Sequence, residues 1–146
     1  MNRLGTINKV LHLKERREEE IELEVRALRD SIAVKGMRLR SLEEAYMETI
    51  GELQRKRSRG TIASQELGIY QNYLFHLQVE MDHRKAEIAR ALSALDTCHG
   101  ALVEAHKETR VVEALKDRRT RENAKEELRK ENKLMDSLSP MARERS

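Results

Sequence analysis

One feature of this sequence limits what it can fold into more than any other: an apolar seven-residue repeat that begins at Leu4 and holds its register to Leu53. The first set of repeat positions is Leu4, Leu11, Glu18, Val25, Ile32, Leu39, Tyr46 and Leu53. The second is Ile7, Lys14, Ile21, Leu28, Lys35, Leu42 and Thr49. Eleven of these fifteen positions are apolar, and the run far outlasts the three or four heptads that ordinarily mark a coiled coil. A strict seven-residue period keeps one stripe facing a partner only if the helices supercoil left-handedly. The polar exceptions, Lys14, Glu18, Lys35 and Thr49, weaken the stripe locally and can set its register. The charged run Lys14–Glu20 reads as a solvated helical turn with pairs such as Lys14–Glu18 and Arg16–Glu20.

The repeat breaks at Arg55-Lys56-Arg57-Ser58-Arg59-Gly60. Basic side chains suit a last helical turn, and Gly60 can take the left-handed conformation that stops a helix. Thr61 or Ser64 can cap a following helix. This short basic cluster reads first as capping and solubility, and second as a surface for nucleic acid or acidic lipid.

A second repeat follows, with Ala63, Tyr70, Leu77, Arg84, Ala91, Cys98, Ala105, Val112 and Arg119 in one set. Leu67, Leu74, Met81, Ile88, Leu95, Leu102, Thr109 and Lys116 form the other. If the turn centres near residue 60, antiparallel partners have numbers adding to about 120, and Leu4 falls opposite Lys116, where the second stripe fades. The predicted fold is therefore all-α: a long antiparallel two-helix coiled-coil hairpin forming a single domain over 1–146. Its first arm runs over about 4–57, its turn over about 58–63 and its second arm over about 64–138, with 117–146 overhanging. At ~1.5 Å per residue the shared length is roughly 75–80 Å. Lys35 and Arg84 face each other on this arithmetic, as the weakest level of the hairpin.

Composition agrees. Charged residues make up 38%, aromatics 3%, and there is no Trp, which suits long helices better than a thick globular core. The net charge of +3 mixes both signs. The single cysteine, Cys98, excludes an internal disulfide, and with no secretory leader a reducing compartment is expected. Cys98 lies on the stripe and reads as a small buried hydrophobe. No apolar run approaches the ~20 residues of a membrane span.

Motifs for catalysis or cofactor binding are absent: there is no phosphate-binding glycine loop, no G-x-S-x-G, no H-E-x-x-H and no C-x-x-C. His76 and His83, like His99 and His106, are seven apart, too far along a helix to clamp a metal as a pair. The expectation is a non-enzyme with no cofactor, metal or small-molecule substrate. Beyond Asp117 the apolar content drops to Leu128, Leu134, Met135 and Leu138, and Pro140 ends the helix. A long helix with a sparse stripe gains little support alone in water and reads as a partner-binding segment.

The turn Gly60-Thr61-Ile62-Ala63-Ser64, followed by Ile69-Tyr70-Gln71-Asn72-Tyr73-Leu74-Phe75-His76-Leu77, resembles the FliJ family of flagellar export proteins. The most specific pieces are Ile62-Ala63-Ser64, Tyr70-Gln71, Tyr73, Leu77 and Met81. The stretch Lys125–Asp136 resembles the family's charged C-terminal helix, except that Ser137 follows Asp136 where that helix often ends Asp-Glu. The resemblance covers essentially the whole chain.

It implies a fold similar to the coiled coil of the rotary ATPase gamma subunit. It also implies a non-enzymatic stalk and chaperone role in flagellar type III export, cytoplasmic and peripheral at the inner membrane beneath the flagellum. The implied partners are the hexameric export ATPase, the export gate membrane protein and the export chaperones, with no nucleic acid expected. Tyr73 and Leu77 are the implied gate contacts, Tyr73 lying off the apolar stripe. Leu128, Met135 and Asp136 are the candidate contacts to the ATPase ring. Two competing readings are the equivalent stalk protein of a virulence type III secretion system and a generic coiled-coil scaffold whose Arg55–Arg59 tip binds nucleic acid.

Overall fold

The computed structural model describes residues 3–60 and 62–138. They form two helices, α1 (Arg3–Ser58) and α2 (Ser64–Leu138), and no strand occurs among the described residues. The two helices pack against each other as a helical hairpin. Thr61 and Pro140, which the sequence offered as a cap and a terminator, lie outside the described residues.

Contacts cluster into two units, each drawing on both helices: Met1–Glu20 with Leu102–Ser146, and Ile21–Ala101. In the second unit, Ile21, Val25, Leu53, Leu77, Met81 and Ala91 are buried. Between them the remaining stripe positions, from Leu28 and Ile32 to Ile88 and Leu95, are partly covered. Two helices bury only a seam, so even the best-covered side chain, Ile21, keeps 2% of its surface exposed. Thr49 occupies a buried stripe position by donating its hydroxyl to the Ala45 carbonyl at 2.7 Å, a local bond that satisfies the oxygen within its own helix.

The register of this unit follows from three cross-helix pairs: Lys56 with Glu66, Tyr70 with Glu52, and Cys98 with Glu24. In each pair the numbers add to 122. That differs from the 120 expected from a turn centred at residue 60. The difference comes from the connection: α1 runs on to Ser58 and α2 starts only at Ser64, which centres the reversal at 61. Arg84 consequently does not face Lys35. It lies with Arg38 along the same groove and reaches Glu87 Oε2 at 3.4 Å, while the register puts Lys35 level with Glu87.

The turn is built by backbone and one hydroxyl. Gly60 sits at φ 72°, the left-handed region where a side chain costs energy. Its N–H donates to the Arg57 carbonyl at 3.1 Å, and the Arg55 carbonyl accepts from the Arg59 N–H at 3.3 Å and the Ser58 hydroxyl at 2.9 Å. On the far side the Leu67 N–H donates to the Ala63 carbonyl at 3.0 Å. Ala63 thus takes the capping position, and Ser64 lies one residue inside the helix. Glu66, in the first turn, places its negative charge where the helix dipole favours it.

In the other unit, Leu11 and Ala105 are buried along with Thr109, whose hydroxyl donates to the Ala105 carbonyl at 3.0 Å. Arg3, Thr6 and Ile7 of α1 line a groove with Leu115 and Arg119 of α2. Lys14 donates to Glu108 Oε2 at 2.9 Å, so its partner is on the opposite helix, where the sequence had suggested Glu18 on its own. Glu18 is taken by His106, whose Nδ1 lies 2.9 Å from Glu18 Oε2.

Candidate functional site

The Tyr73–Leu77 region builds a groove in the second unit. Its α2 wall is Tyr73, Leu77, Glu80 and Arg84, and its α1 wall is Arg38, Ser41, Leu42 and Ala45. The two sequence-chosen residues divide the work. Leu77 is on the seam and only 4% exposed, so it forms the floor, whereas Tyr73 stands beside the seam at 46% exposure. The register puts Ala45 level with Leu77, and its small methyl group leaves the groove beside Tyr73 open. Arg38 and Arg84 bring two guanidinium groups to one end of it. The arrangement suits an apolar anchor on Leu42, Ala45 and Leu77, with a carboxylate at the arginine end. The α1 wall was not singled out from the sequence. Its signal was the chain reversal, which turns Leu42 and Ala45 toward Leu77.

Tyr70, three residues earlier, is not part of this groove. Its hydroxyl donates to Glu52 at 3.4 Å and the Lys56 ammonium lies 5.1 Å from its ring centre. Lys56 is bound to Glu66, which with the Tyr70 contact holds its pKa well above the ordinary lysine value. This cluster locks the two helices beside the turn. Ile69, Phe75 and Val79 are exposed; Ile69 lies one turn before Tyr73 on the same side of α2, whereas Phe75 and Val79 pair with each other on the other side.

The C-terminal candidates lie apart from the groove. Every described residue from Arg121 to Leu138 is exposed, including Leu128, Met135 and Asp136. Of the apolar positions here, Ala124, Leu128, Met135 and Leu138 repeat along one side, with Glu131 between Leu128 and Met135 and Leu134 flanking them. Continuing the α2 seam from Lys116 and Arg119 instead gives Asn123, Glu126, Lys130 and Lys133, all polar. The new stripe therefore runs two residues out of phase with the seam, which turns it by about 200° around the helix. It lies on a side of α2 other than the one that packs on α1.

Of the four histidines singled out from the sequence, one makes a contact within its own helix and two reach across to α1. His83 Nε2 lies 3.1 Å from Glu87, His99 Nε2 lies 3.4 Å from Arg29, and His106 pairs with Glu18; no contact is shown for His76. No helix among the described residues is long and apolar enough to cross a membrane.

No curated protein and no solved structure matches this chain. The family described as flagellar FliJ protein matches it over residues 3–146, which takes in the turn, the Tyr73 groove and the exposed C-terminal helix together. With the two-helix hairpin already established, that end-to-end match makes the chain a member of the flagellar FliJ family, whose general role is that of a stalk-type component of flagellar protein export.

Proposed function

We propose that this protein is the non-enzymatic stalk of the flagellar export machine, joining the hexameric export ATPase to the membrane-embedded export gate and handling export chaperones at the cytoplasmic face of the inner membrane. The observation that carries the reading is the out-of-phase stripe of Leu128, Met135 and Leu138 on a helix exposed from Arg121 onward, in a chain the FliJ family matches over residues 3–146. A helix gains little in water from such a stripe unless a partner covers it. The ATPase ring is the partner the family role supplies, with Asp136 at the stripe's edge as a charged contact. Binding of this helix in the ring promotes assembly and activity of the ATPase.

The second contact is the groove between Tyr73 and Ala45, offered to the gate. Tyr73 supplies a large, stiff apolar surface with a polar tip, the kind of side chain that dominates protein interfaces. Leu77 supports the groove from below.

The test is hydrolysis by the purified cognate export ATPase with and without this chain. Stimulation of turnover by a chain that hydrolyses no nucleotide itself is the expected result. A folded chain that neither stimulates nor co-purifies with that ATPase removes the stalk reading.

A further inference from the structure

The turn joining α1 and α2 carries Arg55, Arg57 and Arg59, all exposed. A basic last turn commonly stabilises a helix end, but here the end is closed by other groups. The Ser58 hydroxyl and the Arg59 N–H satisfy the Arg55 carbonyl, and the Gly60 N–H satisfies that of Arg57. None of the three guanidinium groups is paired with an acid among the described residues, and Arg55 lies back toward Gly51. Between Glu52 and Glu66 the sequence holds four basic residues and no acid. Both bordering carboxylates are engaged, Glu52 by the Tyr70 hydroxyl and Glu66 by Lys56. What is left is a concentrated positive charge on one turn, with no carboxylate among the described residues paired to it.

We propose that this turn docks on an anionic phospholipid layer, with Arg55, Arg57 and Arg59 contacting headgroup phosphates. The shape of the patch favours a flat layer over a nucleic acid. It is confined to one chain reversal, whereas a phosphodiester backbone follows a basic stripe or channel. The nearest ring that could stack a base, that of Tyr70, is covered by the Lys56 ammonium at 5.1 Å. No helix among the described residues is able to cross a bilayer, and the proposed contact is peripheral and electrostatic. Each arginine at an anionic surface strengthens partitioning about fivefold, so three together supply roughly a hundredfold. The interaction fades as salt shortens the Debye length. It does not depend on the ATPase or gate contacts, which use other residues.

The experiment is co-sedimentation of the full chain with phosphatidylglycerol-containing vesicles and with pure phosphatidylcholine vesicles, at low and physiological salt. Binding only to the anionic vesicles, weakened by salt and reduced roughly a hundredfold in Arg55→Ser/Arg57→Ser/Arg59→Ser, is the expected result. Arg118→Ser/Arg121→Ser/Arg129→Ser, which removes the same charge elsewhere, leaves binding within about twofold because surface charge acts locally. Should the tip variant lose helicity, Arg59→Ser alone, beyond the end of α1, carries the test with an expected loss of about fivefold. Absence of binding to anionic vesicles overturns the proposal. So does equal loss in both triple variants, or tighter binding to an oligonucleotide than to vesicles at the same salt.

Discussion

Glu18 and His106 meet across the two helices with 2.9 Å between Glu18 Oε2 and His106 Nδ1, and the second carboxylate oxygen, Oε1, is sealed from solvent with no hydrogen-bond partner. The Glu18 side chain is 14% exposed at a seam position otherwise used by apolar residues. A buried charge of this kind costs desolvation that one contact repays only in part. Glu18→Leu is therefore expected to stabilise the hairpin by about 1 kcal/mol, read as a rise in the denaturation midpoint. A fall in the midpoint would mean that the pair is a net stabiliser.

Ile21 is the best-covered of the buried side chains, and its loss is not shared with a thick core behind it. Ile21→Ala is expected to cost ~2–4 kcal/mol in chemical denaturation, from lost transfer energy and the cavity left between two helices. Ile32→Asp and Leu95→Asp place an uncompensated charge in the same seam and should abolish cooperative unfolding altogether. Circular dichroism during a urea titration checks all three.

Tyr73 and Leu77 should separate cleanly. Tyr73→Ala leaves helicity and the denaturation midpoint within about 0.5 kcal/mol, because the side chain is half exposed, while weakening binding to the export gate. Leu77→Ala costs ~2–4 kcal/mol of stability. A collapse of helicity in Tyr73→Ala would move Tyr73 into the core and remove it from the interface.

Leu128→Glu/Met135→Glu changes only exposed positions. Its unfolding is expected to match the parent protein, while stimulation of the export ATPase falls at least about tenfold, as when an apolar anchor is lost from a groove. Full stimulation by this variant would place the ATPase contact elsewhere on the chain.

Lys56 has a predictable pH signature. Its bond to Glu66, and secondarily the one to Tyr70, raise its folded pKa above the ordinary lysine value of 10.5. The charged form is thus favoured in the folded state. Its contribution is fully present below the ordinary lysine range and is lost as pH rises through the elevated folded value. A pH series of thermal midpoints should fall more steeply on the alkaline side for the parent than for Lys56→Met, and the two curves should run parallel from pH 5 to 8.

Much of this protein was legible as a one-dimensional pattern. A seven-residue period marks which side of each helix must be covered, and the positions it names, from Leu4 to Leu53 and from Leu67 to Arg119, are the ones the structure covers wholly or in part. Thr49 and Thr109 fit that pattern because each hydroxyl bonds its own helix and asks nothing of the partner. The exposed stretch from Arg121 to Leu138 was equally visible, as a stripe too sparse to hold a helix against α1.

What the pattern could not supply was the pairing across the hairpin. That depends on where the turn centres, and moving it from 60 to 61 shifts facing numbers from 120 to 122. Two units of that sum exchange Lys35 and Arg84 as facing residues for an arginine groove and a separate lysine. Lys14–Glu108 and Glu18–His106 likewise belong to the three-dimensional register, as does the α1 wall that turns Tyr73 from an off-stripe aromatic into the side of a groove. Periodicity within a helix is local and survives any change in the loop; contact between helices is set by the loop's length and by the left-handed Gly60, to within a single residue.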